Sequence, residues 1–165
     1  LRRLDGAGAP RTCGWFEETE ADQRVVWLVK EFVAGDPLES FAAADLPAAA
    51  RLLARIHDRL VITDDASAGN FIRTLDGEMQ FLDFGRARLF RRPGLGFDLH
   101  VGWELAELRR EGFRRDDALW TAFVPLYFAA RGGSRLRRAR ILAACSVSGA
   151  LRMVRKFIQG KSTRS

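Results

Sequence analysis

The apolar positions of this chain come first in short extended runs and later at helical spacing. Thr12–Glu17 and Arg24–Phe32 read as two strands, with the polar turn Glu18–Gln23 between them. Val25, Val26, Trp27, Leu28 and Val29 make a nearly continuous apolar run, which predicts a buried strand. Upstream, Leu1 to Leu4 reads as a helix end, stopped by Asp5-Gly6-Ala7-Gly8-Ala9-Pro10. Gly35-Asp36-Pro37 breaks the second strand, and a short helix is expected from Pro37 to Ala43. Asp45 suits the N-cap of a helix from Leu46 to Leu60, whose apolar face is Ala49, Leu52, Leu53, Ile56 and Leu60. Asp76-Gly77 between two apolar runs predicts a hairpin of Asn70–Leu75 and Met79–Asp83. Beyond Pro93 the spacing turns helical over about 97–111, 116–130 and 134–158. Strands followed by helices around one embedded hairpin make an α+β chain without internal repeats.

Composition narrows the class. The 165 residues are 47% apolar and 29% charged, which fits one globular domain with a real core and excludes a disordered chain. Cys13 and Cys145 stand too far apart in sequence to suggest a disulfide or metal framework, so a reducing cytosol is expected. No secretory pattern opens the chain, and the uncharged stretch Ile141–Leu151 falls far short of the roughly 20 residues a bilayer span needs. Leu1 stands where a complete chain would carry Met, so a fragment is expected. Trp15, Trp27, Trp103 and Trp120 are expected in the core. His57 is expected to pack at the end of its helix and His100 to be structural or at the surface, since two lone histidines make no metal site.

The net charge of +6 is unevenly placed. The 48 residues from Ala118 to Ser165 hold 10 Arg or Lys and no Asp or Glu, whereas the first 117 hold 17 basic and 21 acidic residues, a net of −4. An acid-free segment of this kind suits an anionic neighbour such as phospholipid headgroups or a phosphorylated glycolipid, and equally suits a solvated helix face. Nucleic acid fits the charge but finds no recognition motif. The last helix sets Leu142, Cys145, Leu151, Val154 and Phe157 against Arg138, Arg152, Arg155 and Lys156. Such a helix can dock on an anionic membrane or pack on the domain with its basic face outward.

The chemistry-bearing stretch is Ile62-Thr63-Asp64-Asp65-Ala66-Ser67-Ala68-Gly69-Asn70-Phe71, followed by Phe81-Leu82-Asp83-Phe84-Gly85. Phosphoryl transfer needs a carboxylate to orient the attacking hydroxyl and take its proton, and further oxygen ligands to hold magnesium against nucleotide phosphates. Asp65 and Asn70 have D-x-x-x-x-N spacing, and the hairpin would return Asp83 beside Asn70. Asp64 beside Asp65 can raise a pKa, bind a cation or face solvent, the last being expected.

This pattern resembles the catalytic loop and the metal-binding Asp-Phe-Gly motif of kinases, and Leu28-Val29-Lys30-Glu31-Phe32-Val33-Ala34-Gly35 resembles their strand-to-hinge segment. The wording Asp65-Ala66-Ser67-Ala68-Gly69-Asn70-Phe71 is similar to the D-P-H-P-G-N-F form of bacterial lipopolysaccharide core heptose and Kdo kinases, over about Leu4 to Trp120. The resemblance implies a protein-kinase-like fold: the end of an N-lobe and a hinge in residues 1–35, and a helical C-lobe in 36–165. It implies ATP and Mg2+ as cofactors, Asp65 as the base, Asn70 and Asp83 as magnesium ligands, and Glu31, Phe32 and Val33 as the adenine-binding hinge. Asp98 would brace the catalytic loop. The implied enzyme is cytoplasmic and phosphorylates a sugar of the lipid A–core glycolipid at the inner face of the inner membrane.

The sequence departs from that pattern at Thr63, where kinases usually carry His or Tyr, at Asp64, and at Ser67, where a phosphate-contacting Lys or His is usual. No Lys precedes Lys30, which sits at the hinge, and no glycine-rich loop or helix glutamate is found; Gly6-Ala7-Gly8 does not substitute for the loop. Those parts are expected upstream of Leu1, a pseudokinase being the alternative, and this chain alone is expected to bind ATP poorly. Arg86, Arg88, Arg91 and Arg92 either grip an acidic acceptor or line a solvated loop. A serine/threonine protein kinase fits less well, because only 12 residues separate Gly85 from Asp98 and no Ala-Pro-Glu lies there. A small-molecule kinase of the aminoglycoside or choline type usually has an acidic acceptor pocket, which this C-terminal segment cannot line. A non-catalytic scaffold on an anionic partner is the reading from another class.

Overall fold

The computed structural model of the protein describes residues 4, 7–20, 23–114 and 116–147. The chain is α+β. Strands β1 (Thr12–Glu20) and β2 (Gln23–Lys30) form an antiparallel hairpin in which Trp15 faces Leu28 and Phe16 faces Trp27. A short strand β3 (Gly35–Pro37) then leads to helix α1 (Leu46–Asp58) and strand β4 (Val61–Ile62). Strands β5 (Phe71–Thr74) and β6 (Met79–Phe81) make the predicted hairpin, and β3 joins it to give the order β3-β5-β6. Strand β7 (Arg88–Leu89) pairs antiparallel with β4. Helix α2 (Leu95–Glu107) runs on into a π-helical turn at Leu108–Gly112, followed by α3 (Asp117–Arg131) and α4 (135–147).

Alternating small and large apolar residues explain how α1 packs. Ala49, Ala50, Leu52, Leu53, Ala54 and Ile56 are all buried, and α3 crosses this face with Phe123, Tyr127 and Phe128. The β5–β6 hairpin is fastened to the helices by a line of aromatic rings. Phe81 meets Phe71 at 5.1 Å between centroids, Phe71 meets Phe41 at 5.0 Å, Phe41 meets Phe113 at 5.0 Å, and Phe113 meets Phe123 at 5.2 Å. Each such buried ring contributes about 1.5–3 kcal/mol by area and more through its edge-to-face geometry. Gly8 locks the N-terminal segment onto this core. It has φ of 92°, a Cβ there would lie 2.1 Å from Leu52 Cδ1, and its carbonyl accepts from Phe81 N–H at 2.8 Å.

Several expectations are corrected. The run Val25–Val29 is not buried: Val26, Trp27, Leu28 and Val29 are 43–57% exposed. The hairpin has apolar residues on both faces, and no described element covers either of them. Trp15, Trp27 and Trp103 are exposed for that reason or because they sit on an outer helix face, and only Trp120 packs against the core. Gly35–Pro37 does not simply break the chain but pairs with β5, so no helix forms from Pro37 to Ala43. A 3-10 turn at Ala43–Asp45 precedes α1 instead. Asp45 holds the N-cap position of α1, but its carboxylate turns back to accept from Ala42 N–H at 2.9 Å and pairs with Arg73 of β5. Residues 1–3 and 148–158, assigned above to helices, lie outside the described residues, as do Leu151, Arg152, Val154, Arg155, Lys156 and Phe157.

Helices α2 and α4 touch through Gly102, where a Cβ would lie 2.5 Å from Ala144 Cβ and 2.6 Å from the Ile141 carbonyl oxygen. Gly102→Val therefore forces the helices apart. It is expected to destabilise the fold by about 1–3 kcal/mol, read as a lowered urea midpoint with unchanged slope.

Candidate active site

The loop between β4 and β5 is built on a buried carboxylate. Val61, Ile62 and Thr63 are buried, and Thr63 N–H donates to Glu104 of α2 at 3.1 Å and 3.2 Å to its two oxygens. The Thr63 hydroxyl donates to the same carboxylate. Asp64 follows with φ of 60°, and its carboxylate is paired with Arg88 of β7. Asp64 therefore does not simply face solvent. Ala66 and Ala68 are buried and pin the loop floor, leaving Asp65 and Asn70 half-buried.

Asn70 closes the loop. Its Nδ2–H donates to the Asp65 carbonyl at 2.8 Å, which joins the two ends of the D-x-x-x-x-N spacing directly. Its own carbonyl accepts from Leu82 N–H at 2.9 Å across the hairpin. Asp83 is thus one residue past the backbone partner of Asn70. Asp83 is exposed, and its Oδ1 accepts from Gly85 N–H at 2.7 Å. Phe84 packs edge-on against Phe81 at 5.1 Å and anchors the turn. Lys30, at the end of β2, donates from Nζ to the Leu82 carbonyl at 2.9 Å, so it reaches the Asp83 turn instead of lying idle at the hinge.

The expected hinge residues directly follow Lys30. Glu31 N–H donates to the Arg11 carbonyl at 2.9 Å, and its side chain pairs with Arg11 at 3.5 Å. Phe32 is 91% exposed and Val33 is half-buried. A cavity of about 470 Å3 is lined by Glu31, Arg11, Arg55, Asp76 and Gln80 among others, and none of Asp65, Asn70 and Asp83 lines it. Among the described residues no group of three His, Cys, Asp or Glu side chains is placed to hold a metal ion. A cation site at the loop would have to combine the Asn70 amide oxygen with a carboxylate.

Beneath the loop lies a buried polar chain. His57, at the end of α1, has Nε2 at 3.1 Å from Glu104 and Nδ1 at 2.6 Å from the Tyr127 hydroxyl. Arg131 Nη1 donates to that hydroxyl at 2.7 Å. A carboxylate only accepts, so His57 Nε2 carries the proton, and the Tyr127 O–H donates to Nδ1. Burial holds the His57 pKa below its ordinary value in spite of Glu104, and burial likewise pushes the Tyr127 phenol up. His57 therefore packs as expected. The bracing role expected of Asp98 falls to Glu104: Asp98 accepts instead from Arg137 at 2.8 Å and Arg140 at 2.9 Å, and so fastens α4 to α2. Glu104 was marked in the sequence by its place on the apolar stripe Phe97, Val101, Leu105 and Leu108, where an acidic residue needs donors.

Comparison with protein-family models gives no match, and no curated protein matches the chain in sequence.

Removing one partner of a buried charged network strands the others, so Glu104→Ala is expected to destabilise the fold by about 3–5 kcal/mol in urea unfolding, and Glu104→Gln by less. A histidine whose pKa is lowered by burial in the fold contributes stability that is fully present above its unfolded pKa of about 6.5 and is lost as the pH falls from there toward the lower folded value. The melting temperature should therefore drop as the pH is lowered from about 7.5 to 5.5. In His57→Gln that slope should flatten.

Proposed function

We propose that this chain is the catalytic part of an ATP-dependent phosphotransferase with a protein-kinase-like fold, acting on a sugar hydroxyl of a lipopolysaccharide core glycolipid. The observation that carries the reading is the hydrogen bond from Asn70 Nδ2 to the Asp65 carbonyl, with Asp83 delivered beside Asn70 by the β5–β6 hairpin. The pairing of β4 with β7 supports it, because it brackets the loop and the Asp83 turn in one unit.

Asn70 and Asp83 would hold the magnesium that this reading requires. With its amide nitrogen committed to Asp65, Asn70 keeps Oδ1 for a cation, and Asp83 keeps Oδ2 after Oδ1 has taken the Gly85 N–H. Magnesium asks for one or two protein oxygens beside phosphate and water oxygens, and when bound it neutralises charge on the nucleotide phosphates. Asp65 orients the acceptor hydroxyl and takes its proton. The sugar oxygen then bonds to the terminal phosphorus while the bond from that phosphorus to the bridging oxygen breaks, releasing ADP.

The acceptor class rests on the wording of the loop and on charge. Arg86, Arg91 and Arg92 follow the Asp83 turn, are exposed, and are engaged by no ion pair among the described residues. They suit a phosphorylated or acidic sugar. No helix of the described residues is long and apolar enough to cross a membrane. The proposed site of action, the cytoplasmic face of the inner membrane, rests on the glycolipid acceptor.

In the full-length protein, Asp65→Asn should lower transfer of labelled phosphate from ATP to purified core glycolipid by about 10²–10⁴-fold while leaving the melting temperature in place. Unchanged turnover removes Asp65 as the base. Asp83→Ala should abolish magnesium-dependent nucleotide binding, measured by calorimetry with and without the metal.

A further inference from the structure

The residue just before Asp65 is held in an unusual conformation by a side chain from another strand. Asp64 has φ of 60°, in the left-handed region that non-glycine residues rarely adopt, although Asp tolerates it better than most. The turn there separates two demands. Thr63 must point down to Glu104, and Asp65 must leave the buried strand for the half-exposed loop surface.

Arg88 holds that turn. Its Nε and Nη2 both meet Asp64 Oδ2, at 3.0 Å and 2.8 Å. The approach is fixed by the β4–β7 register, in which Arg88 pairs with Ile62, two residues before Asp64. On its other side, Arg88 Nη1 lies 3.4 Å from His100 Nε2, and His100 Nδ1 donates to the Gly96 carbonyl at 2.8 Å in the first turn of α2. One guanidinium therefore ties together the loop, the segment after Asp83-Phe84-Gly85 and the start of α2.

The Arg88 side chain is 56% exposed and that of Asp64 28%, and pairs as wet as this add little to global stability. Their geometry, by contrast, bears directly on the neighbouring carboxylate. We propose that Arg88 is a positioning residue: by clamping Asp64 in the left-handed turn it sets the direction of the Asp65 carboxylate. The proposal rests on the reading of Asp65 as the base. Arg88 acts through Asp64, so its loss should slow the chemical step and leave nucleotide affinity alone.

The test uses the full-length protein with Arg88→Leu, Arg88→Lys, Asp64→Asn and the Arg88→Leu/Asp64→Asn double variant. Two readouts are taken: kcat and the KM for ATP, and amide hydrogen exchange of the peptide covering residues 61–70. Arg88→Leu is expected to lower kcat by about 10- to 100-fold with KM unchanged, and to speed exchange in that peptide alone. Arg88→Lys, which keeps a cation within reach of Oδ2, should restore part of both. Asp64→Asn should match Arg88→Leu, and the double variant should be no worse than either single one. Wild-type kcat and exchange in Arg88→Leu would overturn the proposal. Losses that add in the double variant would also overturn it, because Arg88 would then act on the substrate and not through Asp64. If the wild-type protein transfers no phosphate, the proposed function fails, while the exchange readout still decides whether Arg88 holds the loop.

Discussion

The Glu104 carboxylate is the constraint on which the rest of the site depends. It is almost wholly buried, and a carboxylate in that position is tolerable only when its oxygens are filled by donors. The donors come from Thr63, through backbone and hydroxyl, and from His57. Displacing the loop would strand a charge inside the core at a cost of several kcal/mol, more than any exposed group of the loop can offset. The loop is therefore fixed from below, by the helices, before any ligand arrives. Because Glu104 is in α2, His57 in α1 and Tyr127 in α3, the same network also sets how the three helices sit against each other.

The upper half of the site is held by different means. Phe71 and Phe81 seat the β5–β6 hairpin on the aromatic core, and the Leu82–Asn70 backbone bond fixes where its second strand ends. From there Asp83 is shaped mainly by its own turn, through Gly85 and the Phe84 ring. The consequence is a graded site: Asp65 and Asn70 are set by long-range packing, whereas Asp83 is set locally and stays open to water. That gradient suits a group that must exchange water for ligand oxygens.

Much of this was legible in the sequence because the signals were local or periodic. The apolar spacing of α1 and the Asp76-Gly77 turn placed two elements with small errors at their ends. The loop was legible because its spacing carries its own geometry. The failures share one cause, which is that burial is a property of neighbours. The run Val25–Val29 has the composition of a core strand, yet whether it is covered depends on what packs on it, and no described element does. Asp98 and Glu104 are both acidic residues on one helix, six positions apart, and their three-dimensional partners give them different roles. Asp98 meets arginines from α4, and Glu104 meets the loop. Reading Glu104 for its place in the apolar stripe, before reading any motif, would have found it.

Charge teaches the same lesson about where an anionic partner would bind. The acid-free segment suggested a basic surface, but its described arginines are largely used inside the fold. Arg131 is buried beneath Tyr127, Arg137 and Arg140 neutralise Asp98, and Arg138 lies over the Phe128 ring at 4.8 Å. Among the described residues, an excess of basic residues in sequence is thus not an equal excess of free cations in space. The exposed arginines without an ion pair among the described residues include Arg86, Arg91 and Arg92, immediately after the Asp83 turn. If an anion is to be gathered among the described residues, electrostatics favours the rim of the candidate site over α4, because a rim cation would also stabilise the charge that the proposed phosphoryl transfer develops.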